Sequence, residues 1–143
     1  MDPNELIPKV VEEYISANWS STKIAWENVE PRDFTDPAAP FLYDSTDPYI
    51  FVSVSVDTSR QIEMPNVCKR YYGQVMIDVH VPEGKGSRVA KSLLGSLNDL
   101  LEDTTLSNNI RIQDFNRIGN EYQLRQGWAT YAAVWPIEAE FEL

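Results

Sequence analysis

The chain has 143 residues, 43% hydrophobic and 24% charged. That is the size and make-up of one globular domain, which can bury a core without disulfide or metal. Twelve Lys and Arg face 22 Asp and Glu, a net charge of −10. This excludes a module that reads free DNA or RNA by sequence, because phosphate binding depends on Lys and Arg. The acidity has two readings: plain solubility, or a surface that must lie near nucleic acid without adhering to it. The single cysteine, Cys68, excludes an internal disulfide framework and a four-cysteine zinc site, and fits a reducing cytosol. No run approaches the roughly 18 apolar residues of a membrane span, so no membrane partner is expected. Met1-Asp2-Pro3-Asn4-Glu5 places acid where a secretion signal carries base.

Asp2 is placed to cap a helix, and Pro3 suits its first position. Leu6, Ile7, Val10, Val11, Tyr14 and Ile15 then form one apolar stripe that ends near Asn18. Ile24 to Val29 is a short predicted strand. Glu30 to Pro48 carries four prolines and four aspartates and reads as an irregular surface loop. In the predicted strand Tyr49 to Asp57, Phe51, Val52, Val54 and Val56 alternate with Ser53 and Ser55 over part of its length. Thr58 to Lys69 is polar, holds Pro65 and Asn66, and reads as a long connection. Arg70 to Val81 is the next strand, with Val75, Ile77, Val79 and Val81 on one face and Gln74, Met76, Asp78 and His80 on the other. The two strands predict a β-hairpin with a long tip.

Pro82 to Gly86 is a turn. Ser87 caps a second helix that runs to about Glu102, with Val89, Ala90, Leu93, Leu94, Leu97, Leu100 and Leu101 on its apolar face. Gly95 costs about 1 kcal/mol against Ala there, and is expected to allow a close crossing on the sheet. Asn109 to Ile118 is a further strand. Gly127 to Leu143 closes the pattern, with Ala129, Tyr131, Ala133, Trp135, Ile137, Ala139 and Phe141 on one face. Pro136 cannot donate to a ladder, so this strand is expected at an edge, or bent there. The order helix, strand, hairpin, helix, strand, strand predicts an α+β fold: a mostly antiparallel twisted sheet with two helices packed on one face. Residues 1–143 are read as one domain.

Little in the sequence is catalytic. His80 is the sole histidine and is expected to be an ordinary surface or interface residue, with a pH-sensitive contact or a base as the sharper alternative. No Gly-x-Ser-x-Gly elbow accompanies it, and a Cys68–His80 pair has no supporting signature. Gly84-Lys85-Gly86-Ser87 fails as a phosphate loop, because Gly86 stands at the Ser position and no Gly stands at the loop's first position. The segment reads as a sharp turn into a helix, or as a helix N-terminus able to hold an anion. Asp99, Glu102 and Asp103 gather at a helix end without calcium-loop spacing. Glu138, Glu140 and Glu142 form a negative row, read as the solvated face of an edge strand. No catalytic, metal or cofactor residue is assigned. Most aromatics are read as core or cross-strand pairs. Because Trp and Tyr are also over-represented at interfaces, Trp26, Tyr71 and Trp128 are candidate interface residues. Ile62, Met64 and Val67 join them as apolar residues in the exposed hairpin tip; the alternative is that they fold back on the sheet.

The segments Ile24-Ala25-Trp26-Glu27-Asn28-Val29, Pro82-Glu83-Gly84-Lys85-Gly86 and Gly127-Trp128 fall in this order around a helix rich in Ala and Leu. With the N-terminal helix and the strand pair around a long loop, the layout resembles the tail terminator, or tail completion, proteins of long-tailed bacteriophages, over nearly the whole chain. The resemblance implies a twisted sheet with helices packed on it and no catalysis or cofactor. It implies a homohexameric ring that caps the tail tube, ends tail growth and provides the head-joining surface. The implied partners are other copies of the chain, the major tail tube protein and a head–tail connector protein. The implied location is the head-proximal end of the tail in the virion, and the host cytoplasm during assembly. Two alternatives remain: another head–tail connector component, or a small ligand-binding protein or enzyme with a pocket between helices and sheet.

Overall fold

The computed structural model describes residues 2–26, 47–61, 68–82, 84, 87–114, 117–118 and 128–142. Helix α1 (Pro3–Asn18) begins as its sequence dictates. Asp2 Oδ1 accepts the Asn4 N–H at 2.8 Å, and Pro3 occupies the first turn, where an N–H has no partner. Pro8 lies inside the helix and forgoes one i→i−4 bond near that end. Ile7, Val11 and Ile15, spaced four apart, are buried. The Trp19 N–H returns to Ile15 O at 2.9 Å, and the Trp19 indole donates to Thr22 Oγ1, also at 2.9 Å.

The strands are β1 (Lys23–Trp26), β2 (Tyr49–Gln61), β3 (Cys68–Pro82), β4 (Thr104–Thr105), β5 (Ile110–Ile112), β6 (Arg117–Ile118) and β7 (Trp128–Glu142). They form one sheet in the order β1-β2-β3-β7-β5-β4, with β6 also paired to β7. Only the β1–β2 pair, with Ile24 beside Ile50, is parallel among the described pairings. Helix α2 (Ser87–Leu101) buries Ala90, Leu94, Leu97 and Leu101, whereas Val89, expected on the same face, is exposed at its edge. Both helices pack on one face of the sheet, sharing a core with Val75, Ile77, Val79, Val81, Trp135 and Ile137. The Tyr14 hydroxyl ties the helices together by donating to Leu100 O at 2.9 Å. The fold is α+β, as expected.

Several expectations are corrected. The hairpin strands are longer than hydropathy predicts. Pairing runs on through Gln61 opposite Lys69, so Thr58 to Gln61, Cys68 and Lys69, assigned to the predicted tip, are strand. Backbone hydrogen bonds hold this polar stretch where side-chain alternation gives no signal. A bulge between Val56 and Thr58 resets the register opposite Gly73. A Cβ on Gly73 would lie 2.1 Å from Ser55 O, so only glycine fits this approach.

Pro136 is not on an edge strand. β7 lies between β3 on one side and β5 and β6 on the other. Pro136 O accepts the Gln113 N–H at 2.8 Å, so its missing donor points toward the gap between β5 and β6. The gap also explains why the predicted strand from Asn109 to Ile118 breaks in two. Pro136 cannot return the bond that would carry the ladder on from Ile112. Asn109 itself ends a 3-10 turn (Ser107–Asn109) with φ of 58°, in the left-handed region that Asn tolerates. Gly95 is exposed on α2, away from the sheet, and allows no close crossing there. Ser87 is the first residue of α2 rather than its flanking cap.

Candidate functional site

Strand alternation divides the side chains between a helix-covered face and an outer face. On the outer face, near the start of β2, Tyr49 stacks on His80 with ring centroids 4.7 Å apart and planes 18° apart. Thr130 Oγ1 lies 2.9 Å from His80 Nδ1. His80 is only 8% exposed, and Ala25, Tyr49 and Thr130 beside it are buried too. His80 is therefore not a surface residue of the subunit, which corrects one half of the surface-or-interface expectation. A polar residue opposite the apolar face is enclosed here by an aromatic from β2 and a hydroxyl from β7. Cys68 stands twelve residues away along β3, about 40 Å at strand rise, so the two cannot form a catalytic pair.

At the other end of the outer face is a charge cluster. Arg70 Nε lies 3.0 Å from Glu138 Oε1, with its N–H not aimed at the oxygen, so the contact is an ion pair rather than a hydrogen bond. Arg70 Nη2 is 3.6 Å from Glu140 Oε1, Arg111 Nη2 is 3.8 Å from Glu138 Oε2, and Gln113 Nε2 donates to Glu138 Oε2 at 2.9 Å. The Tyr72 side chain, then Glu138 and Glu140, hold the Arg70 guanidinium above its ordinary range against the opposing effect of desolvation. The predicted row of solvated edge glutamates is thus, at Glu138 and Glu140, a set of partners for Arg70 and Arg111 on a central strand.

Past the end of α2, Glu102, Asp103 and Asp114 bring their carboxylates within 4.8 Å of one another, all exposed. Asp103, at φ 52°, is held above the usual carboxylate range by its hydrogen bond with Asp114, by desolvation and by the Asp114 charge, while Arg111 opposes the shift. A cleft of about 520 Å³ opens here, lined by Asp103, Arg111, Gln113, Asp114 and Pro136. A smaller one of about 220 Å³ is lined by Thr105, Asn109, Arg111, Glu138 and Glu140. Both are open depressions on the surface. Neither brings a nucleophile and a base together.

Between the His80 patch and the charge cluster the outer face carries Asp78 and is otherwise open. Ser53, Ser55, Gln74, Val134 and Pro136 are half-buried, and Met76 is 39% exposed. The sequence marks Met76 as outward-facing but holds no sign that no described residue covers it. The predicted interface residues are scattered. Trp26 and Tyr71 are half-buried on the helix side at the margin of the core, and Tyr71 meets Phe141 edge-on at 5.6 Å. Trp128 opens β7 opposite Pro82. Ile62, Met64 and Val67 lie outside the described residues.

A family model described as phage tail terminator protein matches residues 6–134. The chain belongs to this family. Membership gives it a structural role in a bacteriophage tail, and so a place in the virion. It fits a framework with tightly packed aromatics and salt-bridged strands and without an assembled catalytic set among the described residues. A solved structure is 17% identical, covers 93% of this chain and 89% of that one, and superposes with a TM-score of 0.57. At that identity it speaks for the fold alone. No curated protein matches. No described helix is long and apolar enough to cross a membrane.

Proposed function

We propose that this chain forms a homohexameric ring on the head-proximal end of the phage tail tube, where it ends tube growth and provides the surface that joins the head. The observation that carries this reading is the family match, which spans residues 6–134 and so includes both helices and the sheet as far as the middle of β7. The asymmetry of the subunit supports it: helices cover one face of the sheet, and the other is open in its middle. A ring needs two different surfaces on each subunit, and this layout supplies them. The partners are then other copies, the major tail tube protein and a head–tail connector protein. Assembly takes place in the host cytoplasm, and the role requires no catalysis. The net charge of −10 suits a ring through which DNA passes without adhering.

Electron microscopy of tails made with and without the chain tests this reading. Without it, tubes should overgrow and fail to join heads. With it, tubes should stop at one length beneath a six-fold ring, six copies of 16.4 kDa giving about 98 kDa. Tubes of normal length without the chain would overturn the capping role, and a ring of another order would overturn the number.

A further inference from the structure

Irregularities in neighbouring strands fall on one level of the sheet. In β2 the bulge places Asp57 between Val56 and Thr58, opposite the step from Gly73 to Tyr72. In β3 that level holds Gly73, where a Cβ would strike Ser55 O. Gly73 faces Ile137 in β7, and Gln74 faces Pro136, which has no N–H to give. On the other flank of β7, Ile112 faces Ile137 and Arg117 faces Val134, so five steps along that flank span three along β7. The cleft of about 520 Å³ that Pro136 and Gln113 help to line opens at this lapse between β5 and β6. The two sides of the line are held differently. On the near side, Val52 and Val54 of β2 and Val75 and Ile77 of β3 are buried against the helices. On the far side, Lys69, Arg70, Tyr71 and Tyr72 of β3 are all only half-buried. The core continues past the line under β7 and β5, at Ala139, Ile110 and Ile112.

We propose that the sheet is hinged along this line, and that the half-sheet beyond it, residues 58–61, 68–72, 110–112 and 137–142, rocks as one piece against the helix-covered body. A bulge lets a strand bend, a strand glycine removes the side chain that would resist the bend, and a proline removes a ladder bond. Here they interrupt the ladder on both flanks of the β3–β7 pair, which alone among the described pairs runs through the line in one register. That pair and the core beneath β7 and β5 form the pivot. Sparse packing on the β3 side and the cleft on the β5 side give the far half room to turn. The charge cluster gains a use. Arg70 with Glu138 and Glu140, Arg111 with Glu138, and Tyr71 on Phe141 tie β3, β7 and β5 together on the far side, so it turns as a body rather than fraying. A subunit of a phage tail has to fit its surfaces to the parts around it, and a hinge lets one free form do so. In the assembled tail one setting of the hinge is held.

Distances between paired spin labels test this, with Cys68→Ser as background. Labels at Lys9→Cys on α1 and Arg60→Cys on β2 span the line, whereas labels at Arg60→Cys and Thr105→Cys on β4 both lie beyond it. In the free subunit the first pair should give a distance distribution about twofold wider than the second. Equal widths would overturn the hinge: both narrow means a rigid sheet, and both broad means a fraying tip. In assembled tails the first distribution should narrow to match the second. A first distribution as broad in tails as in solution would overturn the part given to assembly. As a second arm, deleting Asp57 removes one interruption and should bring the first distribution in the free subunit close to the second. An unchanged width would count against the bulge as part of the hinge.

Discussion

Gly73 sits where the long hairpin changes register, and replacing it with alanine tests the account of that bulge. The new Cβ would lie 2.1 Å from Ser55 O, 3.1 Å from Ser55 C and 3.2 Å from Val56 Cα. All three are backbone atoms, so no side-chain rotation relieves the clash. The β2–β3 ladder must part locally, or the bulge between Val56 and Thr58 must move. Overpacking of this kind costs about 1–3 kcal/mol. The lower chain entropy of unfolded Ala works the other way by about 0.4–1 kcal/mol, and the clash should exceed it. Gly73→Ala is therefore expected to lose about 1–2 kcal/mol in urea unfolding. At roughly 4 °C per kcal/mol for a chain of this size, its thermal midpoint should drop by about 4–8 °C. Deleting Asp57, the residue skipped in the register, should make the ladder regular and recover part of the loss in the Gly73→Ala background. A Gly73→Ala protein as stable as the parent, or more so, would refute the reasoning.

Leu97, fully buried on α2, should cost about 2–5 kcal/mol when cut to alanine, read by chemical denaturation. Asn98→Ala removes the acceptor 3.0 Å from the Trp135 indole nitrogen and should cost about 1–3 kcal/mol, with an altered tryptophan emission spectrum. His80→Ala loses the Tyr49 stack and the Thr130 contact and should lower stability by about 1–3 kcal/mol. Tails supplied with it at a permissive temperature should still join heads, and failure with a folded, assembled variant would point to chemistry at His80. Asp114→Asn should bring the Asp103 carboxyl back toward its ordinary value of 3.8, followed by NMR titration. Because the folded state raises Asp103, its contribution to stability is present at low pH and is lost as pH rises through the raised value. The variant's gain over the parent should therefore be seen at neutral pH and shrink as acid protonates Asp103.

Features that depend on a few neighbouring residues were legible in the sequence. The cap at Asp2, Pro3 in the first turn and the stripe of Ile7, Val11 and Ile15 define α1 within one segment. The period-two runs of β3 and β7 likewise show which side chains face the helices. What failed depends on partners distant in the chain. A proline reads as an edge signal because it lacks a donor, yet Pro136 sits in a central strand whose neighbour breaks where the donor is missing. His80 reads as solvent-facing because its strand alternates, while Tyr49, 31 positions earlier, encloses it. The same gap hid the exposure of Met76 and Val89, which look ordinary until the layers are in place.

The central place of β7 constrains the order in which the molecule is made. β3 gains its second neighbour, and β4, β5 and β6 are joined to the rest of the sheet, only through residues 128–142. A nascent chain stopped before Trp128 exposes the β3 edge from Cys68 to Pro82 and lacks Trp135 at the centre of the core. Contacts of such long sequence separation form slowly, and an unpaired edge invites foreign strands meanwhile. Synthesis thus acts as a timer. The sheet becomes whole only after residues 128–142 have left the ribosome, and until then the host's chaperones have a long bare strand to guard.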